Sequence, residues 1–560
     1  MRAIRILLAF SWMLGSMSQV VGAGREDRGT HIQYRMMTDR TIYVVGEEVR
    51  FRVFNLSSDS LIEMGWSRVF YLELISPEGD AYVQLKLPLD SAGTSGGFTI
   101  PQEIPTGTYY LKGYTRYMRN LGPAFYTYLS VEVINPYIKT VLAVDTSSQF
   151  TVTMAPQEWG CDLTGQVIDA GISRVQSRST IEPDMWVEPL NLIHDGCVTV
   201  ARPEALHRQW EFSIPVSHPD RVAGNMMPET RGITLSGMVL TSDSNQPVPY
   251  AVVYVTTLDE TREFYCNYAD SLGNFYIVLS DIRGETDLFI SAAHSNAENL
   301  EVFIDQDFSN EPLHLPSFPV LLDSANVETI TELCINAQIR EQYGPAVSDS
   351  EDTVVPASAY FYGEPSAMIH FSDFINLPTL EEYFTEVIPQ VALRRSGEHR
   401  KFRVTGSNPD LQFFEPLLLV DGVAVFDVES LLEISPRLVD RVELITAPYI
   451  IGNVTFGGII NLITTEGNMG YMDLPASGLL VEYGMFSDTR RTMNELDLAD
   501  PRLPDVRNTL YWNPMAGLSQ QHGSGIRIST ADSRGYYCTL IRGYDNNLNC
   551  HEERIRFVVE

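Results

Sequence analysis

Two histidine–cysteine arrangements in this chain have spacing that could hold a metal. His194 and Cys197 form an H-x-x-C pair, and Cys550-His551 stands close in sequence to Cys538. A tetrahedral zinc site needs four nitrogen or sulfur ligands, commonly as two such pairs. Neither arrangement has a matching second pair, so a disulfide or a plain surface loop is the expected state of each. Asp421 is a carboxylate that could act in catalysis, but Gly422 follows it, and Asp-Gly is a turn-forming dipeptide. The Tyr109–Tyr117 stretch could present an aromatic binding face, although strand alternation turns half of its side chains inward. There is no His-Glu-x-x-His, no Gly-x-Ser-x-Gly and no glycine-rich phosphate loop. The expected sets of catalytic, cofactor-binding and metal-binding residues are therefore all none.

The elements that would position any site are mostly strands. Tyr, Phe, Val and Thr are abundant in the 560 residues, of which 44% are hydrophobic; this favours sheets over helices and supplies material for several cores. With 39 basic against 72 acidic side chains the formal charge is −33. A surface that acidic repels phosphate backbones, so no nucleic-acid partner is expected. Met1–Arg5 is basic, Ile6–Leu14 apolar, and Val21-Gly22-Ala23 ends in small residues. Residues 1–23 thus read as a secretory signal peptide cleaved after Ala23, and the mature chain is expected outside the cytoplasm. No later run approaches ~18 uninterrupted apolar residues, so no helical integral membrane segment is expected.

The six cysteines are too few for a disulfide scaffold in a chain of this size. Cys161 with Cys197 and Cys538 with Cys550 are the suggested pairs, and closure of a loop of ~15 residues would contribute about 3 kcal/mol. Cys334 reads as a buried thiol on a helix, and Cys266 has no evident partner.

Along the chain, Thr38–Asn55 and Gly96–Asn120 alternate apolar and polar residues around turns. Asp39, Arg40, Ile42, Tyr43, Gly46 and Val49, followed by Gly107 and Tyr109, resemble the signature of the macroglobulin-like β-sandwich over residues 24–136. Residues 137–229 read as a second sandwich from strand spacing alone. Residues 230–315 resemble the carboxypeptidase regulatory-like domain, a transthyretin-type sandwich: Gly237, Pro247, Val248, Ala251 and Val253 fit its first hairpin, and Asp270, Gly273 and Phe275 its turn. That module carries none of the peptidase's zinc ligands, so no hydrolysis is implied. Residues 316–359 read as a helical linker, with Val327, Ile330, Cys334 and Ala337 on the apolar face of a helix over Ser324–Tyr343.

Residues 360–472 resemble the plug domain of TonB-dependent receptors, a small α/β module. Asp421, Gly422, Arg441, Glu443, Gly458, Ile460, Asn461, Ile463 and Thr464 occupy its slots, while Ala447–Phe456 departs from the usual Tyr-Gly and small residues. About ninety residues follow, whereas a barrel of ~22 strands needs more than about 200, so a plug-like module without its barrel is expected. Residues 473–560 read as a closing macroglobulin-like sandwich. The whole order resembles large exported Bacteroidetes-type proteins. No cysteine lies in the Cys-x-Glu-Gln segment that thioester-containing macroglobulins need, so protease trapping is not expected.

The fold expected is mainly β: tandem macroglobulin/Ig-like and transthyretin-like sandwiches plus a plug-like domain, with no transmembrane barrel. The expected role is that of a non-enzymatic cell-envelope protein, binding or scaffolding beside an outer-membrane complex, in the periplasm, at the outer membrane or at the cell surface. Its expected partners are outer-membrane or envelope proteins, with no cofactor. The alternatives are an accessory to TonB-dependent transport that supplies a plug in trans, and a secreted hydrolase with scattered catalytic residues.

Overall fold

The structure, a computed structural model, describes residues 32–57, 66–143, 168–181, 193–206, 211–212, 226–259, 262–297, 299–320, 327–343, 360–396, 399–406, 408–469, 474–487, 502–514 and 527–560. The expected signal peptide over residues 1–23, Cys161 and residues 344–359 of the expected linker lie outside them. The chain is mainly β, in open sheets of two to six strands, and among the described residues no helix is long and apolar enough to cross a membrane. It divides into two compact units. Unit 1 comprises Met1–Arg231, Phe308–Ser348 and Ser487–Glu560; unit 2 comprises Gly232–Asp307 and Asp349–Phe486.

Unit 1 is three sheets deep. Tyr34–Thr38, Glu48–Asn55 and Gly93–Thr99 form a central sheet. Its strand Glu48–Asn55 is buried along nearly its whole length because both faces are covered. On one side, Met36 and Tyr34 approach Phe70 and Gly113 of a six-stranded sheet that includes Val69–Ile75, Gly107–Tyr114 and Thr127–Ile134. On the other, Phe54 meets Tyr544 at 5.1 Å between rings, and Arg52 pairs with Asp195 at 3.0 Å. Those partners belong to a five-stranded sheet of order Thr509–Asn513, Asp195–Ala201, Gly535–Tyr544, Cys550–Val559 and Ile168–Val175.

The strands read as a second sandwich and those of the tail are therefore neighbours in a single sheet. The register pairs Val198 with Ile541 and with Asn513. Separation in the chain hides this, because side-chain alternation says which face is buried but not which strand lies alongside. The Val327–Tyr343 helix buries Ile330, Leu333 and Asn336; Val327, expected on the apolar face, is exposed. Ile330, Cys334 and Ala337 pack on the expected face, joined by Asn336, whose Nδ2 donates to Asn508 Oδ1 at 3.0 Å.

Both suggested disulfides are corrected. Cys197 and Cys538 are free buried thiols, as is Cys266, and Cys334 is a free half-buried one; Cys550 is disulfide-bonded. The hairpin register sets Cys550 opposite Tyr544 and Cys538 opposite Arg556. Six residue steps separate Cys538 from Tyr544, roughly 20 Å of strand at ~3.4 Å per residue, and a disulfide needs Cα atoms within about 7 Å. Cys197 points into apolar packing with Met37, Phe54, Trp512 and Tyr544.

Unit 2 combines a sandwich with an α/β layer. Asn274–Val278, Thr234–Thr241 and Leu300–Ile304 form one sheet; Phe264–Tyr268, Val252–Thr257, Glu285–Ala293 and Leu479–Gly484 form the other. The last of these arrives from the far end of the chain and pairs Leu480 with Phe289. A five-stranded mixed sheet follows, ordered Ala367–His370, Val439–Ile445, Ile459–Thr464, Leu417–Val420, Val423–Ala424. The Leu417–Val420 and Ile459–Thr464 strands run parallel. Between them in sequence lies the Val428–Glu433 helix, whose N-cap Asp427 accepts from Glu429 N–H at 2.9 Å.

Candidate functional site

The predicted chemical residues do not converge. His194 precedes its strand and is exposed, whereas Cys197 is buried with Sγ 3.7 Å from Met37 Sδ. Burial pushes the Cys197 and Cys538 thiols up to about 11, which leaves little thiolate for ligation or attack near neutral pH. Among the described residues no group of three or more His, Cys, Asp or Glu is placed to hold a metal.

His551 instead contacts Asp545 at 3.3 Å, in the hairpin loop before Cys550. Asp545 Oδ1 accepts from the backbone N–H groups of Asn547 and Asn549, both at 2.8 Å, and Oδ2 from Asn549 Nδ2 at 2.9 Å. Those bonds, the Asn549 side chain foremost, lower its pKa from 3.8 to about 2. A depressed carboxylate stabilises the fold at pH above its unfolded value, and that contribution is lost as pH falls through the folded one. A carboxyl NMR titration of Asp545 is thus expected to show a midpoint near 2, rising toward 3.8 in Asn549→Ala.

Asp421 is fully buried. Its carboxylate accepts from Thr464 N at 2.8 Å, Thr464 Oγ1 at 2.6 Å and Met469 N at 3.0 Å. Its φ is +49° and that of Gly422 is +85°, the double left-handed conformation of a type I′ turn. Asp421 therefore locks a turn to the neighbouring strand. Nearby, Tyr362 donates to Glu443 at 2.7 Å and accepts from Asn461 Nδ2 at 2.8 Å, while Arg441 pairs with Glu443 at 2.7 Å. Asp421, Glu443 and Asn461 are thus buried polar groups whose hydrogen bonds are satisfied within the fold.

The Tyr109–Tyr117 stretch divides as alternation requires. Tyr109 and Leu111 lie on the face that covers the central sheet; Thr108, Tyr110, Lys112 and Tyr114 lie on the opposite one, together with Tyr71 and Glu73 of the adjoining strand.

Unit 2 holds an open cleft of about 650 Å³. One wall comes from the sandwich: pairing of Val252 with both Tyr268 and Ala293 brings Val252, Tyr254, Tyr268 and Ala293 to one face. The opposite wall comes from Leu417, Val425, Phe426, Val454 and Phe456. Away from the cleft these layers close on each other, with Phe264 stacked on Phe361 at 4.9 Å. At the cleft they part, leaving Tyr250 62% and Tyr268 45% exposed at the mouth. Lys401 and Glu415 pair there at 2.6 Å. Tyr250 adopts φ +59°, an uncommon conformation for a bulky residue. A second hollow of about 450 Å³ shares Ala293, His294, Val425 and Phe426 with the first, so Phe426 borders both. His294 Nδ1 accepts from Asn296 N–H at 3.3 Å, which commits it to a turn.

Aliphatic and aromatic walls, a mixed polar and apolar lining and a self-satisfied ion pair suit binding of an extended segment better than bond making or breaking. Sequence reading missed this cleft because its residues come from distant strands. The available signal was Tyr250 directly after Val248-Pro249, an aromatic placed in a turn.

No protein-family model matches the chain, and no curated protein matches it. Among solved structures, it is similar to a Salmonella alpha-2-macroglobulin reacted with methylamine at 7% identity and TM-score 0.15, covering 95% of this chain and 24% of that one. It is similar to a trypsin-activated alpha-2-macroglobulin from Escherichia coli at 9% identity and TM-score 0.15, covering 97% of this chain and 24% of that one. Dimeric latent PorU from Porphyromonas gingivalis is similar over 49% of this chain and 33% of its own, at 10% identity and TM-score 0.13. The chain spans about a quarter of the length of the two macroglobulins. Likenesses this weak carry no argument about activity.

Proposed function

We propose that this chain is a non-enzymatic cell-envelope protein, exported to the periplasm or outer membrane, that binds or scaffolds the proteins of an outer-membrane complex. It combines macroglobulin-like, regulatory-like and plug-like modules, and the unit 2 cleft is its contact surface. The supporting observation is that cleft itself: two adjoining hollows that share Phe426, the larger one of mixed polar and apolar lining and rimmed by the exposed Tyr250 and Tyr268. Successive hollows along one groove accept alternate side chains of an extended segment from an envelope protein.

The test places a photo-crosslinking phenylalanine at Tyr268 and irradiates the chain with outer-membrane fractions. A discrete adduct with one envelope protein is expected, and Phe426→Asp should abolish it by putting a charge at the border of both hollows. No adduct, or one indifferent to Phe426→Asp, would sink the proposal.

A second reading, a plug supplied in trans to a transport barrel, draws support from the sheet that holds Asp421, Arg441, Glu443 and Asn461 together. It expects the crosslinked partner to be a barrel that lacks its own plug.

A further inference from the structure

In unit 1, residues 308–320, reading FSNEPLHLPSFPV, cross the outer face of the six-stranded sheet without joining any sheet ladder. The side chains on that face hold them by the backbone. Thr108 Oγ1 donates to the Phe318 carbonyl at 3.1 Å, Tyr110 donates to that of Pro316, and Lys112 Nζ donates to that of Ser309 at 3.1 Å. Tyr114 accepts from Ser309 N–H at 2.7 Å. These four anchors are alternate residues of one strand, so a single strand face reads the segment. Ser309, Leu313 and Leu315 turn inward and are buried, whereas Asn310, Pro312 and His314 are exposed.

The floor is aromatic. Tyr71 stacks on Tyr114 at 5.6 Å, Tyr114 on Tyr126 at 4.4 Å, and Phe308 meets Tyr71 edge-on at 5.5 Å. Glu73 fixes two of the readers, accepting from Tyr114 at 2.7 Å and pairing with Lys112 at 2.6 Å. Aromatic walls with hydroxyl donors aimed at the carbonyls of a proline-punctuated, extended chain form a recognised mode of peptide capture.

We propose that this face is a docking groove for extended, proline-containing segments of a partner protein, held in the resting chain by its own residues 308–320. The four strand anchors go to backbone groups and so tolerate other sequences, whereas Tyr126 Oη to Ser309 Oγ at 3.2 Å and Ser317 Oγ to the Ala143 carbonyl at 2.9 Å are specific to the cis segment. Proline favours the extended conformation in advance and lowers the ordering cost of the bound segment. The tethered segment competes at an effective concentration near millimolar, so a partner gains entry when the cis segment is weakened. This groove lies in unit 1 and stands independently of the cleft in unit 2.

The probe is a fluorescein-labelled synthetic peptide of residues 306–320, followed by anisotropy with the full chain. Leu313→Asp/Leu315→Asp should release the cis segment, and the peptide should bind that variant about 10–100-fold more tightly than wild type. Adding Thr108→Val and Tyr110→Phe removes two donors at nearly constant shape and should weaken binding about tenfold or more. A peptide with all three prolines changed to glycine should bind at least about tenfold more weakly. Should the opened variant fail to fold, hydrogen exchange on the wild-type chain replaces it: millimolar peptide should accelerate exchange at Ser309 and Leu315. Absence of binding to a folded, opened variant would overturn the proposal. So would unchanged exchange in the wild-type chain, or equal binding of the glycine peptide.

Discussion

A chain that ends after Phe486 is expected to lose the fold of unit 1 while unit 2 persists. The missing residues supply Thr509–Asn513, Gly535–Tyr544 and Cys550–Val559, three strands of the five-stranded sheet. Asp195–Ala201 would lose the neighbours on both of its edges, leaving unpaired backbone groups beside the central sheet. The apolar loss is larger still. Leu510, Trp512, Ile528, Tyr537, Ile541, Ile555, Phe557 and Val559 are all buried, and burial of each such side chain contributes about 1.5–3 kcal/mol. Their sum, about 12–24 kcal/mol, matches or exceeds the roughly 5–15 kcal/mol that stabilises a typical domain. Unit 2 keeps its returning strand Leu479–Gly484 and so keeps both sheets of its sandwich. Hydrogen exchange should show protection lost at Val198 and Val200 but retained at Val253 and Leu462. Protection surviving at Val198 would contradict the argument.

Asp39→Ala is expected to destabilise unit 1 by about 3–5 kcal/mol, the usual consequence of removing one partner from a buried charge network. Asp39 is fully buried. It accepts from Tyr43 at 2.7 Å and from Arg50 N–H at 3.0 Å on Oδ1, and from Thr509 Oγ1 at 2.6 Å on Oδ2. Arg40 Nε and Arg50 Nη1 lie 3.7 and 3.8 Å from Oδ2. Burial first, and the Asp39 carboxylate next, raise the pKa of Tyr43 well above its usual value, so its hydroxyl remains a donor. Alanine takes the acceptor from Thr509, leaves the Tyr43 hydroxyl only the Arg40 carbonyl at 2.8 Å, and removes an anion from beside two buried guanidiniums. Asp39→Asn keeps an acceptor oxygen and should cost less. Chemical denaturation followed by hydrogen exchange at Val198 reads unit 1, with Leu462 as the internal reference for unit 2. A loss under about 1 kcal/mol would show that Glu47, which pairs with Arg40 at 3.0 Å, and Glu48, which pairs with Arg50 at 2.6 Å, carry the network without Asp39.

That network also shows where sequence reading reaches. Asp39, Arg40, Tyr43 and Gly46 stood out as a pattern, and the structure gives the pattern a physical role. The two charged residues are buried because the strand that follows them is covered on both faces. Their partners Thr509, Asn508 and Asn336, which complete the arrangement, carry no recognisable motif. The Asp421–Gly422 turn was legible for a local reason, since both left-handed φ values are preferences of the dipeptide itself. The cysteines misled for the converse reason. Cys538 and Cys550 flank one turn, yet hairpin register sets them far apart along the ladder.

The outer tyrosines of Gly107–Tyr114 lie between these extremes. Alternation predicted two faces for that strand, and it has two. What covers the outer face is a segment some two hundred residues later in the chain, named by its hydrogen bonds.

From residue order alone came the mainly β build, the local turns and caps, and the inward or outward sense of each strand. These depend on backbone preferences and alternation within a few residues. Tertiary structure alone decided that the tail completes a sheet begun near Asp195, that Leu479–Gly484 closes the sandwich of unit 2, and that Tyr250, Phe426 and Val454 share a cleft. Such pairings release their free energy only when distant segments meet, and a strand's own side chains do not encode which edge it will find.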